Sequence, residues 1–183
     1  MMQNAPELTV SAWLNTDNAP TLIGLRGKVI LIEAFQILCL GCVSHGLPQA
    51  KKVFETFNED DVAVLGLHTV FEHHSAQGTT DALGAFLREY RIPFPVGIDQ
   101  PSDTGPLPVT MTTYRMQGTP TQLLINRQGQ LRAQRFGAVD DLRLGMEIGA
   151  LVAESAEVVE RPPSDELPNQ EAPNCDDSGC PIP

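Results

Sequence analysis

The chain has 183 residues, enough for one ordinary domain with a full hydrophobic core and too few for a second large one. Its 23 acidic and 12 basic residues leave a formal net charge of −11, which disfavours nucleic acid and anionic membrane surfaces as partners. No uninterrupted apolar stretch in the sequence approaches the roughly 18 residues that a membrane span needs, so we expect a soluble protein.

The first strong pattern in the chain is a buried strand over residues 29–35, which is apolar except for Glu33. After Cys42, apolar residues recur at steps of four and three, as they do on one face of a helix; they are Val43, Leu47, Ala50, Phe54 and Phe57. Cys39 and Cys42 are therefore predicted to lie where a strand passes into the N-terminus of a helix.

The middle of the chain continues the alternation of strands and helices. A strand over residues 62–67 precedes a helix with Thr80 as its expected N-cap and with one apolar face, made by Leu83, Phe86, Leu87 and Tyr90. Residues 94–98 are predicted to form a short strand and the proline-rich residues 100–110 a loop. Strands separated by helices predict the α/β class with a mostly parallel central sheet.

The ordered part of the sequence ends with a hairpin and a helix. Residues 122–126 and 131–136 flank a turn that contains Gly129, a pattern typical of an antiparallel strand pair. Asp140 or Asp141 then supplies the N-cap of a last helix, which we expect to run to about residue 158.

The composition changes sharply after this helix. Residues 159–183 carry six prolines and six acidic residues, with very few large apolar side chains. Such a segment cannot bury enough surface to offset the entropy lost on ordering. We therefore predict one folded domain over residues 1–158 and a disordered acidic tail over residues 159–183.

The four cysteines form two close pairs, Cys39 with Cys42 and Cys175 with Cys180. At a helix N-terminus the first thiol of a Cys-X-X-Cys pair faces unpaired N–H groups and the positive end of the helix dipole, which stabilise a thiolate. Cys39 is then the nucleophile, and Cys42 lies close enough to resolve a mixed disulfide. Half of a zinc site is the alternative, but zinc needs two further ligands at ordered positions.

Three of the four histidines follow the second predicted strand, namely His68, His73 and His74. A metal role is disfavoured because two adjacent histidines point in different directions on any regular element. We expect neither a bound metal nor a cofactor.

Glu33 is an acidic residue in an otherwise apolar strand, six residues before Cys39. Burial without a partner raises the pKa of a carboxyl group, which suits a group that exchanges a proton with a nearby buried thiol. The alternative is a structural carboxylate satisfied by Lys28 or by a backbone amide at the strand end.

Three motifs occur together in a recognisable order and spacing. They are the strand entry at residues 27–32, Cys-Leu-Gly-Cys at residues 39–42, and Gly-Thr-Pro-Thr at residues 118–121, which is followed by an apolar run and a glycine turn. Over roughly residues 8–155 the chain resembles the thioredoxin superfamily, particularly its TlpA/ResA-like thiol-disulfide oxidoreductases and their redoxin relatives.

The resemblance implies a thioredoxin-like fold, in which a central mixed sheet is flanked by helices. It implies that Thr119 and Pro120 form a cis-proline loop beside the cysteines, where the backbone before the proline pairs with an extended substrate. It also implies that Glu33 occupies the buried acid position of thioredoxins.

The chain departs from the family pattern close to the cysteines. Leu38 replaces the aromatic residue that usually precedes the first cysteine, and Gly41 replaces the proline that often precedes the second. His45 stands where TlpA/ResA-like members often carry an acid. Two interpretations of His45 remain open: a proton donor or thiolate partner near neutral pH, and an exposed helix histidine.

We predict from these residues a thiol-disulfide oxidoreductase that acts on protein thiols and disulfides and receives electrons from a donor that the sequence does not identify. A peroxiredoxin-like thiol peroxidase is the nearest alternative, although residues 34–38 lack the proline and threonine of a peroxidatic site. A non-catalytic binding or metal-delivery module is the third. Residues 1–7 lack the features of a secretory signal, so we expect a cytoplasmic protein. We also expect it to be a monomer. Cys175 and Cys180 are predicted to form an auxiliary, mobile dithiol that can react with the Cys39/Cys42 pair. The alternative is a pair of tail thiols that are inert or bind metal adventitiously.

Overall fold

The computed structural model of the chain describes residues 3–154. The predicted tail with Cys175 and Cys180, and the predicted domain boundary at residue 158, lie outside the described residues. The six strands within this range are β1 Val10–Leu14, β2 Val29–Phe35, β3 Val62–His68, β4 Val96–Asp99, β5 Thr121–Ile125 and β6 Leu131–Phe136. The α-helices are α1 Leu47–Thr56, α2 His74–Gln77, α3 Thr80–Glu89, α4 Val109–Thr113 and α5 Asp141–Ala153.

The six strands form one mixed sheet in the order β1-β4-β3-β2-β5-β6. Strands β2, β3 and β4 run parallel to one another, whereas β1 pairs antiparallel with β4, β5 with β2, and β6 with β5. The predicted α/β class and its antiparallel hairpin are confirmed. The expectation of a mostly parallel sheet is wrong, because three of the five strand pairings within residues 3–154 are antiparallel. No helix in residues 3–154 is long and apolar enough to cross a membrane.

Strand β2 lies inside the sheet, and all seven of its residues are buried. Successive side chains of a strand point to opposite faces. Val29, Leu31 and Phe35 accordingly pack into the core beneath α1, α3 and α5, whereas Ile30 and Ile32 pack into the core on the other face. Burial on both faces explains why this strand is a nearly continuous apolar run, and the alternation directs Glu33 towards α1.

The helix that follows the cysteines begins differently from the prediction. Residues Cys42–Gly46 form a wide π-type turn, in which the Leu47 N–H donates to the Cys42 carbonyl, and α1 follows. The extra residue in this turn rotates the later side chains about the helix axis. Leu47 and Ala50 are buried as predicted, but Val53 is buried as well, and Phe54, predicted to face the core, is 38% exposed.

Two helix ends also differ from the prediction. The N-cap of α3 is Thr79 and not Thr80, because the Thr79 hydroxyl accepts a hydrogen bond of 3.1 Å from the Ala82 N–H. Asp140 caps α5 by accepting a hydrogen bond from the Arg143 N–H at 3.0 Å. It is one of the two residues, Asp140 and Asp141, that the sequence predicted for this cap. Helix α5 ends at Ala153, earlier than the expected end near residue 158.

Three short elements were not predicted from the sequence, namely β1, α2 and α4. Helix α4 begins inside the segment predicted to be a loop, and α2 has only four residues. Elements of this length contain too few apolar repeats to show a period.

Candidate active site

The cysteine pair lies beyond the carboxyl end of β2, at the edge where α/β sheets commonly place their functional sites. Cys39 and Cys42 form a disulfide, and their Cα atoms are 5.2 Å apart. Cys39 is partly exposed, whereas Cys42 is fully buried against the core. Only the first sulfur is therefore open to a partner from solution.

Two backbone groups approach the Cys39 sulfur. The Cys42 N–H, at the start of the helix, donates to Cys39 Sγ at 3.2 Å. The Thr119 carbonyl oxygen lies 3.5 Å from the same sulfur. A helix N-terminal N–H is the kind of donor that can stabilise a thiolate at this position. Leu38 and Leu40, which flank Cys39 in the chain, have exposed apolar side chains.

Pro120 packs against the turn that carries the cysteines. The Thr119–Pro120 peptide bond is cis. A Cβ atom at Gly41 would lie 3.2 Å from Pro120 Cδ, and one at Gly46 would lie 3.1 Å from Pro120 Cβ and overlap the Glu33 carboxylate. These two glycines therefore allow the turn, the proline loop and Glu33 to meet. Gly46 was missed by the sequence analysis, because only its neighbours in space explain it.

Glu33 is fully buried beneath this turn. Neither of its carboxylate oxygens has a hydrogen-bond partner within residues 3–154. Burial raises the pKa of Glu33 to about 8, and Gln122, its partner across the β2–β5 pair, opposes the rise only in part. The alternative partner Lys28 donates instead to the Glu59 carbonyl at 2.7 Å, so a Lys28 ion pair is not what holds this carboxyl group.

A line of polar side chains leads from Glu33 to the surface. The buried Gln122 donates to Gln49, and Gln49 donates to the Val139 carbonyl at 2.8 Å and to Asp141. Lys52 completes the line at the surface, where its Nζ forms a 2.7 Å ion pair with Asp141. The hydrogen bond from Lys52 lowers the pKa of Asp141. Gln49 and Gln122 were missed by the sequence analysis, because only their burial and their pairing across the fold make them unusual.

The histidines are distributed around the site rather than gathered in it. The His45 Nε2–H donates to the Val139 carbonyl at 3.0 Å, which places the ring beside the start of α5. His68, at the end of β3, is buried against Phe35, and burial lowers its pKa to about 4. His, Cys, Asp and Glu side chains within residues 3–154 do not gather in a group of three that could hold a metal ion.

The contact between Gly46 and Glu33 predicts a stability effect. Gly46→Ala is expected to lower the free energy of unfolding by about 1–3 kcal/mol, because the added methyl group overpacks the site between Glu33 and Pro120. Urea unfolding followed by circular dichroism measures the change. The matched control is Gly149→Ala in α5, where a Cβ meets nothing within 4 Å and alanine favours the helix. A Gly46→Ala variant as stable as the wild type contradicts this packing.

Known proteins that resemble this chain include a thioredoxin-like protein and a thiol-disulfide isomerase. The crystal structure of the thioredoxin-like superfamily protein SPOA0173 is 59% identical, with a TM-score of 0.80 over 83% of this chain and 97% of that one. A thiol-disulfide isomerase from Corynebacterium glutamicum is 45% identical, with a TM-score of 0.77 over 81% of this chain and 95% of that one. Protein DipZ of Mycobacterium bovis is 31% identical over 140 residues, which are 74% of this chain but 19% of DipZ. No protein-family model matches the sequence.

Proposed function

Because the chain belongs to the thioredoxin-like superfamily of thiol-disulfide oxidoreductases, we propose that it exchanges dithiol and disulfide with protein substrates through Cys39 and Cys42. The observation that carries the proposal is the pairing of a partly exposed sulfur with a buried one at a helix N-terminus. The exposed sulfur meets the substrate, and the buried sulfur can be reached only from within the protein.

The proposed reaction takes place in two exchanges. The Cys39 thiolate attacks one sulfur of a substrate disulfide, and the other substrate sulfur leaves as a thiolate that takes up a proton. Cys42 then attacks the Cys39 sulfur of the mixed disulfide, and the substrate sulfur that was bonded to Cys39 leaves as a thiolate. Two electrons have passed to the substrate, and the Cys39–Cys42 disulfide remains to be reduced by an electron donor.

Glu33 is proposed to accept the proton of the Cys42 thiol during the second exchange. Its pKa of about 8 is close to the value of about 8.5 for an ordinary thiol, so transfer between the two groups is nearly balanced. The carboxyl group lies beneath the same turn that carries Cys42, and the side chain of Gln122 lowers its pKa only in part.

The substrate is proposed to bind along Thr119 and Pro120. The contact of the Thr119 carbonyl with Cys39 Sγ supports this placement, because a chain that lies beside Thr119 brings its own sulfur to Cys39. Leu38 and Leu40 flank Cys39 in the chain with exposed apolar side chains, which favours apolar substrate residues next to the reacting cysteine.

Reduction of insulin disulfides by dithiothreitol, run beside hydrogen peroxide consumption, tests the proposed function. We expect the wild-type protein to accelerate insulin reduction and Cys39→Ser to lose the acceleration, with peroxide consumed no faster than without protein. Peroxide consumption that depends on Cys39, without insulin reduction, would favour a thiol peroxidase. Insulin reduction that survives in Cys39→Ser would refute the proposed chemistry.

A further inference from the structure

Two buried glutamine side chains join the active-site loop to the segment that follows β3. Gln36 comes directly after β2, and Gln77 is the last residue of α2. Their exposed fractions are 1% and 0%, and the Gln77 Nε2 donates to the Gln36 Oε1 at 2.9 Å. The proposed chemistry does not use this pair.

Gln77 directs its remaining hydrogen bonds at backbone groups. Its Oε1 accepts from the Leu38 N–H at 3.2 Å, and its Nε2 donates a second hydrogen bond to the Glu72 carbonyl at 2.8 Å. Both amide protons and the carbonyl oxygen of Gln77 are therefore in use. Leu38 directly precedes Cys39, so this one side chain holds the backbone next to the exposed sulfur.

Gln36 extends the connection to the other side of the sulfur. Its Nε2 lies 3.4 Å from Thr119 Oγ1, and the Thr119 carbonyl lies 3.5 Å from Cys39 Sγ. The Cys39 N–H in turn donates to the Gln36 carbonyl at 3.2 Å. The glutamine pair thus contacts both the residue before Cys39 and the residue before Pro120.

We propose that Gln77, acting through Leu38 and Gln36, is a positioning residue that fixes Cys39 Sγ relative to Thr119 for attack on a substrate disulfide. This inference rests on the proposed function of the cysteine pair. Sulfur exchange is sensitive to the position of the attacking atom, and a small displacement of a reacting group is enough to slow a reaction by one or two orders of magnitude. An uncharged amide orders the loop without adding a charge beside the thiolate.

Gln77→Met tests the proposal, because methionine keeps the length of the side chain and removes all three hydrogen bonds. The readouts are kcat and KM for insulin reduction and the rate of iodoacetamide modification of Cys39, measured from the mass of its own peptide so that the tail cysteines do not interfere. We expect the rate of iodoacetamide modification of Cys39 and the kcat for insulin reduction each to fall about tenfold, with KM changed less.

Asn126→Leu provides the matched control. Asn126 is 3% exposed and exchanges two side-chain hydrogen bonds with Gln130 at the far end of β5 from Thr121. It is expected to lower the melting temperature while leaving the Cys39 rate and kcat at wild-type values. Should Gln77→Met fail to fold, Gln36→Met takes its place, with a smaller loss expected because the bond from Gln77 to Leu38 remains.

The positioning role is overturned if a folded Gln77→Met variant keeps the wild-type kcat and the wild-type rate of Cys39 modification, whatever its melting temperature. Unchanged rates in the substitute Gln36→Met also overturn it, because Gln36 carries the contact with Thr119. A wild-type protein that does not reduce insulin overturns the proposed function instead, and the modification rate of Cys39 still decides whether Gln77 positions the sulfur.

Discussion

Replacing Cys42 with serine is expected to trap the protein on its substrate as a mixed disulfide through Cys39. A serine hydroxyl does not attack a disulfide, so the first exchange proceeds and the second stops. Turnover in insulin reduction should fall at least about a hundredfold, because release then depends on thiols from solution. The exposure of Cys39 and the burial of Cys42 carry this expectation.

Non-reducing gel electrophoresis of the variant with a disulfide-containing substrate, followed by peptide mass mapping, measures the trapped complex. Cys39→Ser is the control and should form no complex through the active site, because its remaining active-site sulfur is buried. The map also reports whether Cys175 or Cys180 is linked to the substrate or to Cys39. A complex joined through Cys42, or full turnover in Cys42→Ser, contradicts the assignment of nucleophile and resolving thiol.

Glu33→Gln is expected to slow turnover at least about tenfold and to flatten its dependence on pH near pH 8. Removal of a group that transfers a proton in the rate-limiting step typically has an effect of this size or larger. The raised pKa of Glu33 places its titration in this range. Values of kcat for insulin reduction between about pH 6 and pH 9 give the comparison.

Asp99→Asn is the matched control for this loss. Asp99 is also a buried acid whose pKa is raised by burial, but its oxygens accept hydrogen bonds from Thr69, Thr110 and Met111. Its replacement should destabilise the protein while the pH profile of kcat stays that of the wild type. Unchanged turnover of Glu33→Gln across the same pH range would leave Glu33 with a structural role only.

The same substitution has an expected effect on stability. The pKa of Glu33 rises from an ordinary value of 4.5 to about 8 in the folded, oxidised protein, so the folded state keeps a proton that the unfolded state releases. This contribution to stability is complete below about pH 4.5 and is lost as the pH rises to about 8. Glu33→Gln carries no charge at any pH, so its free energy of unfolding should not show this fall, which in the wild type amounts to a few kcal/mol between about pH 5 and pH 8.

Urea unfolding of the oxidised protein at about pH 5 and pH 8 measures this difference. The free energy of unfolding of the wild type should fall between the two values by more than that of Glu33→Gln. Equal pH dependence in both proteins would show that Glu33 ionises normally in the fold.

Much of the fold could be predicted from the local pattern of apolar residues in the sequence. The buried strand 29–35, the helix after Cys42 and the hairpin around Gly129 each repeat their apolar residues with a period set by the backbone geometry of one element. The place of the cysteine pair at the join of a strand and a helix follows from the same periods. Glu33 could be found because an acid in an apolar strand is an exception within a single short segment.

The contacts across the site were decided by tertiary structure alone. Gln36 lies 83 positions before Thr119, and Gln49 lies 73 positions before Gln122. No period within one element records such a pair, because each depends on which strands become neighbours in the sheet. The glycine at position 46 belongs to this class, since the atoms that exclude a side chain there come from β2 and from the proline loop.

The sequence by itself thus determined which residues are proposed to carry the chemistry, whereas the tertiary structure decided how they face one another. Composition and periodicity act along the chain, so they identify Cys39, Cys42 and Glu33 one at a time. The exposure of one sulfur, the burial of the other and the raised pKa of Glu33 arise only when α1, β5 and the Pro120 loop close over the end of β2 and exclude water.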